Sequence, residues 1–298
     1  MEQMQKRRRY DVETNGFVGE LYPVQNAKLA MIVLSDPLTG YPLATNIAKA
    51  ISINDVTALA VNLWGARGQI TYPDRISGNA IESAVRSLKV IPGIEMIGIY
   101  AAGLTTPFAV IAATQISDIR ACALISPVWG VYEGILNRGE MSGHSAIMWN
   151  GQELPYVRAK LTGPGEGMPF SENRFYSEFE RTWKDESVAK ATDLHPERLL
   201  SQGKKLLMVA GGKDKYWPAW KVVAAYAKRL SMYASNGQFT ERIYPECGHF
   251  VGILPENMMS RIYIMRELLT REKDMKQGRL EMNESHIMVI RWLKQLIS

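Results

Sequence analysis

Short apolar runs alternate along this chain with segments whose apolar residues have helical spacing. The runs that we predict to be buried strands cover 28–34, 56–63, 95–100, 121–125, 205–210 and 239–244. One predicted helix ends near residue 51, and the others cover about 78–90, 105–116, 219–231 and 283–297. Strands this apolar need cover on both faces, so the alternation predicts an α/β fold with a mostly parallel sheet between helices. A hairpin near 8–14 and 17–23 is predicted to add antiparallel strands at one edge.

The segment from Ser126 to about His195 breaks this alternation and is rich in glycine, proline and aromatic residues. Irregular segments of this length are uncommon unless they form lids or binding surfaces. We therefore predict one domain over 1–298, with an insertion over 127–195 that covers the carboxyl ends of the strands. Its aromatic residues are candidates for a pocket roof, and a homodimer contact is the alternative.

Composition excludes several classes of partner. The net charge is +5, but the basic residues are scattered apart from a run at 6–9, so no nucleic-acid partner is expected. Two cysteines provide neither a disulfide framework nor a metal cluster, and no cofactor is expected. No apolar run approaches the length of a membrane span or forms a signal peptide, so a cytoplasmic location is the simplest expectation.

Two predicted strands are followed by residues suited to acid–base chemistry. Asp214 and His249 each stand just after a buried strand, and the 35 residues between them provide one helix and one strand. We expect their loops to emerge side by side, where a carboxylate can hold one ring nitrogen and leave the other as a base. The ordinary interpretation of such an aspartate is a turn or helix cap. The other histidines, His144, His195 and His286, lack this context and are interpreted as surface or core residues.

The strand near 95–100 turns directly into a helix through Ala101-Ala102-Gly103-Leu104-Thr105. A strained turn of this kind, with small neighbours, is where hydrolases with a Gly-x-Ser-x-Gly pattern carry their nucleophile. Here the tip falls on Gly103, which adopts strained backbone conformations easily but has no attacking side chain. The order along the chain, with the corner at Gly103 first, then Asp214 and then His249, is that of α/β-hydrolases.

These features give the chain a specific resemblance. The segments that carry it are "AIESAVRSLKVIPGIEMIGIYAAG", "IRACALISPVW", "GQELPY", "KKLLMVAGGKDKYWPAW", "IYPECGHF" and "SHIMVIRWLKQLI". The chain resembles the α/β-hydrolase superfamily and, more narrowly, the C-terminal catalytic domain of acyl-CoA thioesterases and bile acid-CoA:amino acid N-acyltransferases. The resemblance covers about residues 15–298. It implies an α/β-hydrolase fold, Asp214 as triad acid, His249 as triad base, and a small acyl ligand such as an ester or a coenzyme A thioester.

Three explanations of Gly103 stay open. It replaces a serine or cysteine by deliberate mutation, although Ala101 and Thr105 also depart from the family's usual glycines. Alternatively, hydrolysis was lost and the pocket kept for an apolar ligand or a protein partner. In the third, the acid–histidine pair activates water or a substrate hydroxyl without a covalent intermediate.

Substitute nucleophiles near the corner are poor. Thr105 and Thr106 lie in the first helical turn, where hydroxyls usually bind local backbone. Cys247 stands on the histidine loop and is expected to point away from the corner, while Cys122 is expected to be a small core residue.

The oxyanion hole is also expected to be altered. One donor would be the backbone N–H of Leu104, and the other should come from the loop after the first apolar strand, where Asp36, Pro37 and Leu38 stand. Proline supplies no N–H, and losing one donor costs about 10²–10³ in rate. Together with Gly103, this predicts an atypical or impaired hydrolase of the acyl ester or thioester class. Glu133, Arg158 and Arg174 are further candidates for polar substrate contacts, and the sequence does not select among them.

Overall fold

The computed structural model describes residues 7–34, 40–137, 140–158, 172–252 and 275–298. Its strands are β1 (Arg8–Tyr10), β2 (Val18–Tyr22), β3 (Leu29–Leu34), β4 (Thr57–Asn62), β5 (Ile76–Ser77), β6 (Met96–Ala102), β7 (Ile119–Ile125), β8 (Glu133–Ile135), β9 (Met141–Ser145), β10 (Ile147–Trp149), β11 (Gln152–Glu153), β12 (Lys205–Gly211) and β13 (Phe239–Tyr244). Its helices are α1 (Val12–Asn15), α2 (Gly40–Ser52), α3 (Asn79–Lys89), α4 (Thr106–Gln115), α5 (Glu172–Lys184), α6 (Glu186–Thr192), α7 (Glu197–Ser201), α8 (Ala219–Leu230) and α9 (Met275–Gln295).

Eight strands form the central sheet in the order β1-β2-β4-β3-β6-β7-β12-β13. All neighbours from β4 to β13 pair parallel, whereas β1 and β2 are antiparallel at one edge. The mostly parallel sheet and its antiparallel edge are therefore confirmed. The edge strands are shorter than predicted because α1 interrupts the hairpin. The Asp11 carboxylate accepts the Thr14 N–H at 2.8 Å and begins this helical turn, which ends at Gly16 with φ +78°.

Strand β3 shows why the predicted strands are continuous apolar runs. All six of its residues are buried. Ala30, Ile32 and Leu34 face the side covered by α3, α4 and α8. The alternate residues, Leu29, Met31 and Val33, face the side covered by α2 and α9. Each large apolar side chain buried in this way contributes about 1.5–3 kcal/mol, so both faces stabilise the sheet.

In its described residues, the segment between β7 and α7 contains short strands and the helices α5 and α6 rather than one irregular loop. β8 pairs antiparallel with β9, and β10 pairs with both β5 and β11. The Phe179 ring on α5 stacks at 5.3 Å on Trp217, which follows the carboxyl end of β12. At the far end of the segment, Asp193 forms an ion pair with Arg229 of α8. The described part therefore lies against the edge where the parallel strands end, while its action as a lid and a homodimer contact through it stay predictions.

Neither cysteine forms a disulfide. Cys122 lies in β7 within the apolar core, where burial raises the pKa of its thiol. Cys247 is buried in the apolar cluster on the opposite face of the sheet, together with Tyr244 and Phe250. In the described ranges, no helix is long and apolar enough to cross a membrane.

Candidate active site

The loops that follow β6, β7, β12 and β13 emerge at one edge of the sheet, because these four parallel strands are neighbours. The first residues of interest in these loops are Gly103, Ser126, Asp214 and His249 respectively. Side chains at the carboxyl ends of parallel strands share the crevice where open α/β sheets bind ligands.

Gly103 forms the corner between β6 and α4. It begins a 3₁₀ turn and has φ +59°, in the left-handed region. A residue with a side chain costs about 1–2 kcal/mol in that region, whereas glycine adopts it freely. The corner thus has the backbone geometry expected of a nucleophile position. It carries no reactive group.

The two threonine hydroxyls beside the corner are used by backbone groups. Thr105 Oγ1 donates to the Ala102 carbonyl at 2.8 Å, and Thr106 Oγ1 donates to the Gly103 carbonyl at 2.7 Å. Thr106 Oγ1 also accepts the Val128 N–H at 3.2 Å. The prediction that these hydroxyls bind local backbone is confirmed, and neither is placed as a substitute nucleophile.

Asp214 and His249 form a buried hydrogen-bonded pair. Asp214 Oδ2 lies 2.9 Å from His249 Nδ1, and the side chains are 0% and 2% exposed. Asp214 Oδ1 accepts the backbone N–H groups of Tyr216 at 2.9 Å and Trp217 at 3.4 Å. Both oxygens of the buried carboxyl group therefore have hydrogen-bond partners. In the tautomer in which Nδ1–H donates to Asp214, the lone pair of the neutral imidazole is on Nε2.

Aromatic rings fix the His249 imidazole. The ring centroids of Trp217, Tyr216 and Phe250 lie 4.5, 4.9 and 5.2 Å from its own. Trp217 meets the imidazole edge to face, and all three rings are buried. Such apolar walls restrict the imidazole to one orientation and exclude water that would screen its charge when it is protonated.

Ser126 is hydrogen-bonded to the loop that carries His249, and the sequence did not single it out. Its hydroxyl donates to the His249 carbonyl at 2.7 Å, and its N–H donates to the Val209 carbonyl at 2.8 Å. Its own carbonyl accepts the Trp217 Nε1–H at 2.9 Å. Ser126 is buried with φ +45°, a strained conformation that such a network can hold. The available signal was its position directly after a buried strand, the same signal that selected Asp214.

The corner and the histidine loop are tied to the same short segment after β7. Val128 is bonded to Thr106 and through it to the Gly103 carbonyl, while Ser126 is bonded to His249. The structure therefore pairs Asp214 with His249 and links Gly103 to them. Asp36 and Leu38 lie outside the described residues. Leu104 is half-buried beside the corner. The catalytic and oxyanion roles of all these residues stay predictions.

The other histidines do not join this site. His144 Nδ1 pairs with Glu153 at 2.8 Å, and His195 Nδ1 pairs with Glu197 at 2.9 Å. His286 lies on α9, where burial lowers the pKa of its imidazole to about 4. Over the part of the chain that the structure describes, no three His, Cys, Asp or Glu side chains converge as a metal site.

An apolar cleft opens beside the corner. It is narrow, with a cavity volume of about 40 Å³, and it widens into open solvent at its mouth. Leu104 and Thr105 line it from the corner, and the apolar walls include Leu63, Ile76, Phe108, Val131, Ile147 and Phe179. Residues of the core and of the segment after β7 thus share one cleft with mostly apolar walls.

Solved structures with similar folds cover nearly the whole chain. The α/β-hydrolase GrgF from Penicillium sp. sh18 has 12% sequence identity and a TM-score of 0.53, covering 93% of this chain and 99% of that one. The chain has the α/β-hydrolase fold. TT1662 from Thermus thermophilus has 12% identity and a TM-score of 0.49, covering 88% of this chain and 96% of its own. Est1E from Butyrivibrio proteoclasticus has 14% identity and a TM-score of 0.47, with 93% and 99% covered.

No protein-family model matches the sequence, and no curated protein matches it. The predicted fold class is confirmed by the similarity of structure and not by any match of sequence. The narrower resemblance to acyl-CoA thioesterases and acyltransferases stays a prediction.

Proposed function

We propose that this protein acts on an acyl ester or thioester and that His249 is its general base, held by Asp214. In the absence of a side chain at Gly103, the attacking group is a water molecule or an acceptor hydroxyl. This assigns the protein to the acyl-CoA thioesterase or acyltransferase type of chemistry, without a covalent acyl-enzyme.

The buried Asp214–His249 pair is the observation that carries the proposal. Burying a carboxylate and an imidazole is costly unless the pair is well bonded. Here two backbone N–H groups, one ring N–H and three aromatic walls hold the pair in a single geometry. These contacts hold the imidazole in one orientation, as general-base catalysis requires.

The proposed reaction proceeds in two steps. His249 Nε2 removes a proton from water as the water oxygen bonds to the acyl carbon, and the carbonyl becomes an oxyanion. The bond to the leaving oxygen or sulfur then breaks, and the imidazolium returns the proton to that atom. The products are a carboxylic acid and an alcohol or thiol. General-base assistance of this kind contributes about 10²–10⁴ in rate, so turnover is expected to be slow compared with that of a complete triad.

Binding without turnover is the second candidate. The observation that favours it is the combination of a bare corner with threonine hydroxyls already bonded to backbone. In that case the cleft holds an apolar ligand or a protein partner.

Hydrolysis assays separate the two. We would measure release of p-nitrophenol from acetyl, hexanoyl and dodecanoyl esters, and of thiol from the matching coenzyme A thioesters. His249→Ala and Asp214→Asn are expected to lower kcat/KM at least 100-fold. His144→Ala is the matched control, because His144 also has a carboxylate on Nδ1 but lies outside the site. Mass spectrometry should find no acylated protein during turnover. Activity that survives in His249→Ala, or no activity in the unaltered chain, would reject the general-base proposal.

A further inference from the structure

One acidic residue lines the apolar cleft. Glu133 on β8 lines it and is 8% exposed. Among the lining residues that the structure describes, it is the one that carries a charge. Glu133 belongs to the segment after β7, whereas Asp214 and His249 belong to core loops, and none of its described hydrogen bonds reaches either of them. It therefore lies apart from the proton-transfer pair.

The two oxygens of Glu133 have different surroundings. Oε1 accepts the Gly143 N–H at 2.6 Å. Oε2 has no hydrogen-bond donor among the described residues, and it is not sealed from solvent. The exposed Arg158 guanidinium is close enough to interact with it electrostatically, and its pKa is raised first by Tyr156 and then by Glu133. One oxygen thus holds the β8–β9 hairpin, and the other keeps its capacity to accept a hydrogen bond from a ligand.

Water can solvate Oε2 in the unliganded protein, but a carboxylate oxygen that loses this water and gains no other donor is unfavourable next to apolar walls. A ligand that brings a donor removes this penalty, and a charge-assisted bond is stronger than a neutral one. A plain hydrocarbon chain leaves the oxygen unsatisfied when it displaces the water. Sites with buried polar groups discriminate most strongly against ligands that lack the matching group.

We propose that Glu133 is a specificity-determining residue that selects ligands carrying a hydrogen-bond donor, a hydroxyl or an ammonium group, on an otherwise apolar chain. The choice of acyl compounds rests on the proposed function. The role of the carboxylate does not, because binding alone reveals it.

Glu153 provides a matched control. It lies on β11 beside the same hairpin, and its carboxylate also accepts a backbone N–H, from Ser145 at 3.0 Å. Its other oxygen pairs with His144. Glu153 is exposed and does not line the cleft. Its substitution changes the net charge in the same way as that of Glu133 without altering the cleft wall.

The test is calorimetric binding of three stable amides to the full chain: N-methylhexanamide, 6-hydroxy-N-methylhexanamide and 6-amino-N-methylhexanamide. We expect the unaltered chain to bind the amino compound at least tenfold more tightly than the plain amide, with the hydroxy compound between them. Glu133→Gln, which keeps the shape and an acceptor oxygen, should lose the preference for the amine and keep part of that for the hydroxyl. Glu133→Leu should lose both, and Glu153→Gln should retain both.

Thermal unfolding of each variant shows whether it is folded, and Glu133→Gln provides the decisive comparison if Glu133→Leu is not. Equal affinity for the three amides in the unaltered chain, including no binding by any of them, overturns the proposal. So does a preference that persists in both Glu133 variants. Failure of ester hydrolysis with the binding preference intact would reject the proposed function and leave the role of Glu133 standing.

Discussion

Restoring a side chain at the corner is the sharpest test of the geometry at the strand ends. Gly103→Ser places a hydroxyl at a position with φ +59°, between β6 and α4. The left-handed conformation costs a residue with a Cβ about 1–2 kcal/mol, so the variant should be less stable by about that amount. The same conformation presents a nucleophile to the substrate in hydrolases that have this turn. Stability and activity are therefore expected to change in opposite directions.

The size of the gain follows from the Asp214–His249 pair. With a base and its orienting carboxylate already hydrogen-bonded at 2.9 Å, the hydroxyl completes a triad. We expect kcat for p-nitrophenyl hexanoate to rise at least 100-fold over the unaltered chain. That rise corresponds to about 2.7 kcal/mol of barrier, at about 1.36 kcal/mol for each factor of ten. An acyl adduct on residue 103 should appear by mass spectrometry at early times.

Two controls isolate the hydroxyl from its side effects. Gly103→Ala imposes the same backbone strain without a nucleophile, and it should lose stability but gain no activity. Gly103→Ser combined with His249→Ala keeps the hydroxyl without its base and should return to the basal rate. If Gly103→Ser is no faster than Gly103→Ala, or is indifferent to the loss of His249, the corner is not a nucleophile position and the assigned geometry is wrong.

Two further predictions concern positioning and pH. Ser126→Ala removes the bond to the His249 carbonyl and should lower both kcat and, by about 1–3 kcal/mol, the free energy of unfolding in urea. An unaltered kcat in this variant would contradict the positioning role of Ser126. Burial holds the pKa of His286 near 4, below its ordinary 6.5, so the folded state binds fewer protons and stability should fall as pH drops from 6.5 to 4. Solvent screening of the half-buried ring limits this loss to about 1 kcal/mol, and urea titrations of His286→Gln at both pH values should lack it.

The parallel strands could be predicted because burial on both faces leaves a continuous apolar run, as in β3. The last helix was predicted to begin near 283, whereas α9 begins at Met275. Its first half gave no apolar period because polar residues occupy buried positions. Glu281 accepts the Glu246 N–H, and the buried Ser285 hydroxyl accepts the Gly252 N–H. These bonds to a distant loop replace apolar packing and are invisible in local sequence.

The same distinction separates the site residues. Asp214 and His249 were found because their positions after buried strands determine which edge they reach, whatever the side-chain details. Ser126 and Glu133 depend on partners that are remote in sequence or on the shape of a cleft. The short strands after β7 are of this kind too, since β10 pairs in parallel with β5 about seventy residues earlier. Pairing between such distant segments has no local period that a sequence pattern could report.

The corner does not depend on the side chain that it lacks. Its hydrogen bonds run from the Thr106 hydroxyl to the Gly103 carbonyl and from the Val128 N–H to that same hydroxyl. All three groups are present whether residue 103 is glycine or serine. These hydrogen bonds are therefore independent of the side chain at position 103, and glycine avoids the backbone strain that a residue with a Cβ would have there. Thr106→Val should consequently lower the free energy of unfolding in urea more than Gly103→Ala does.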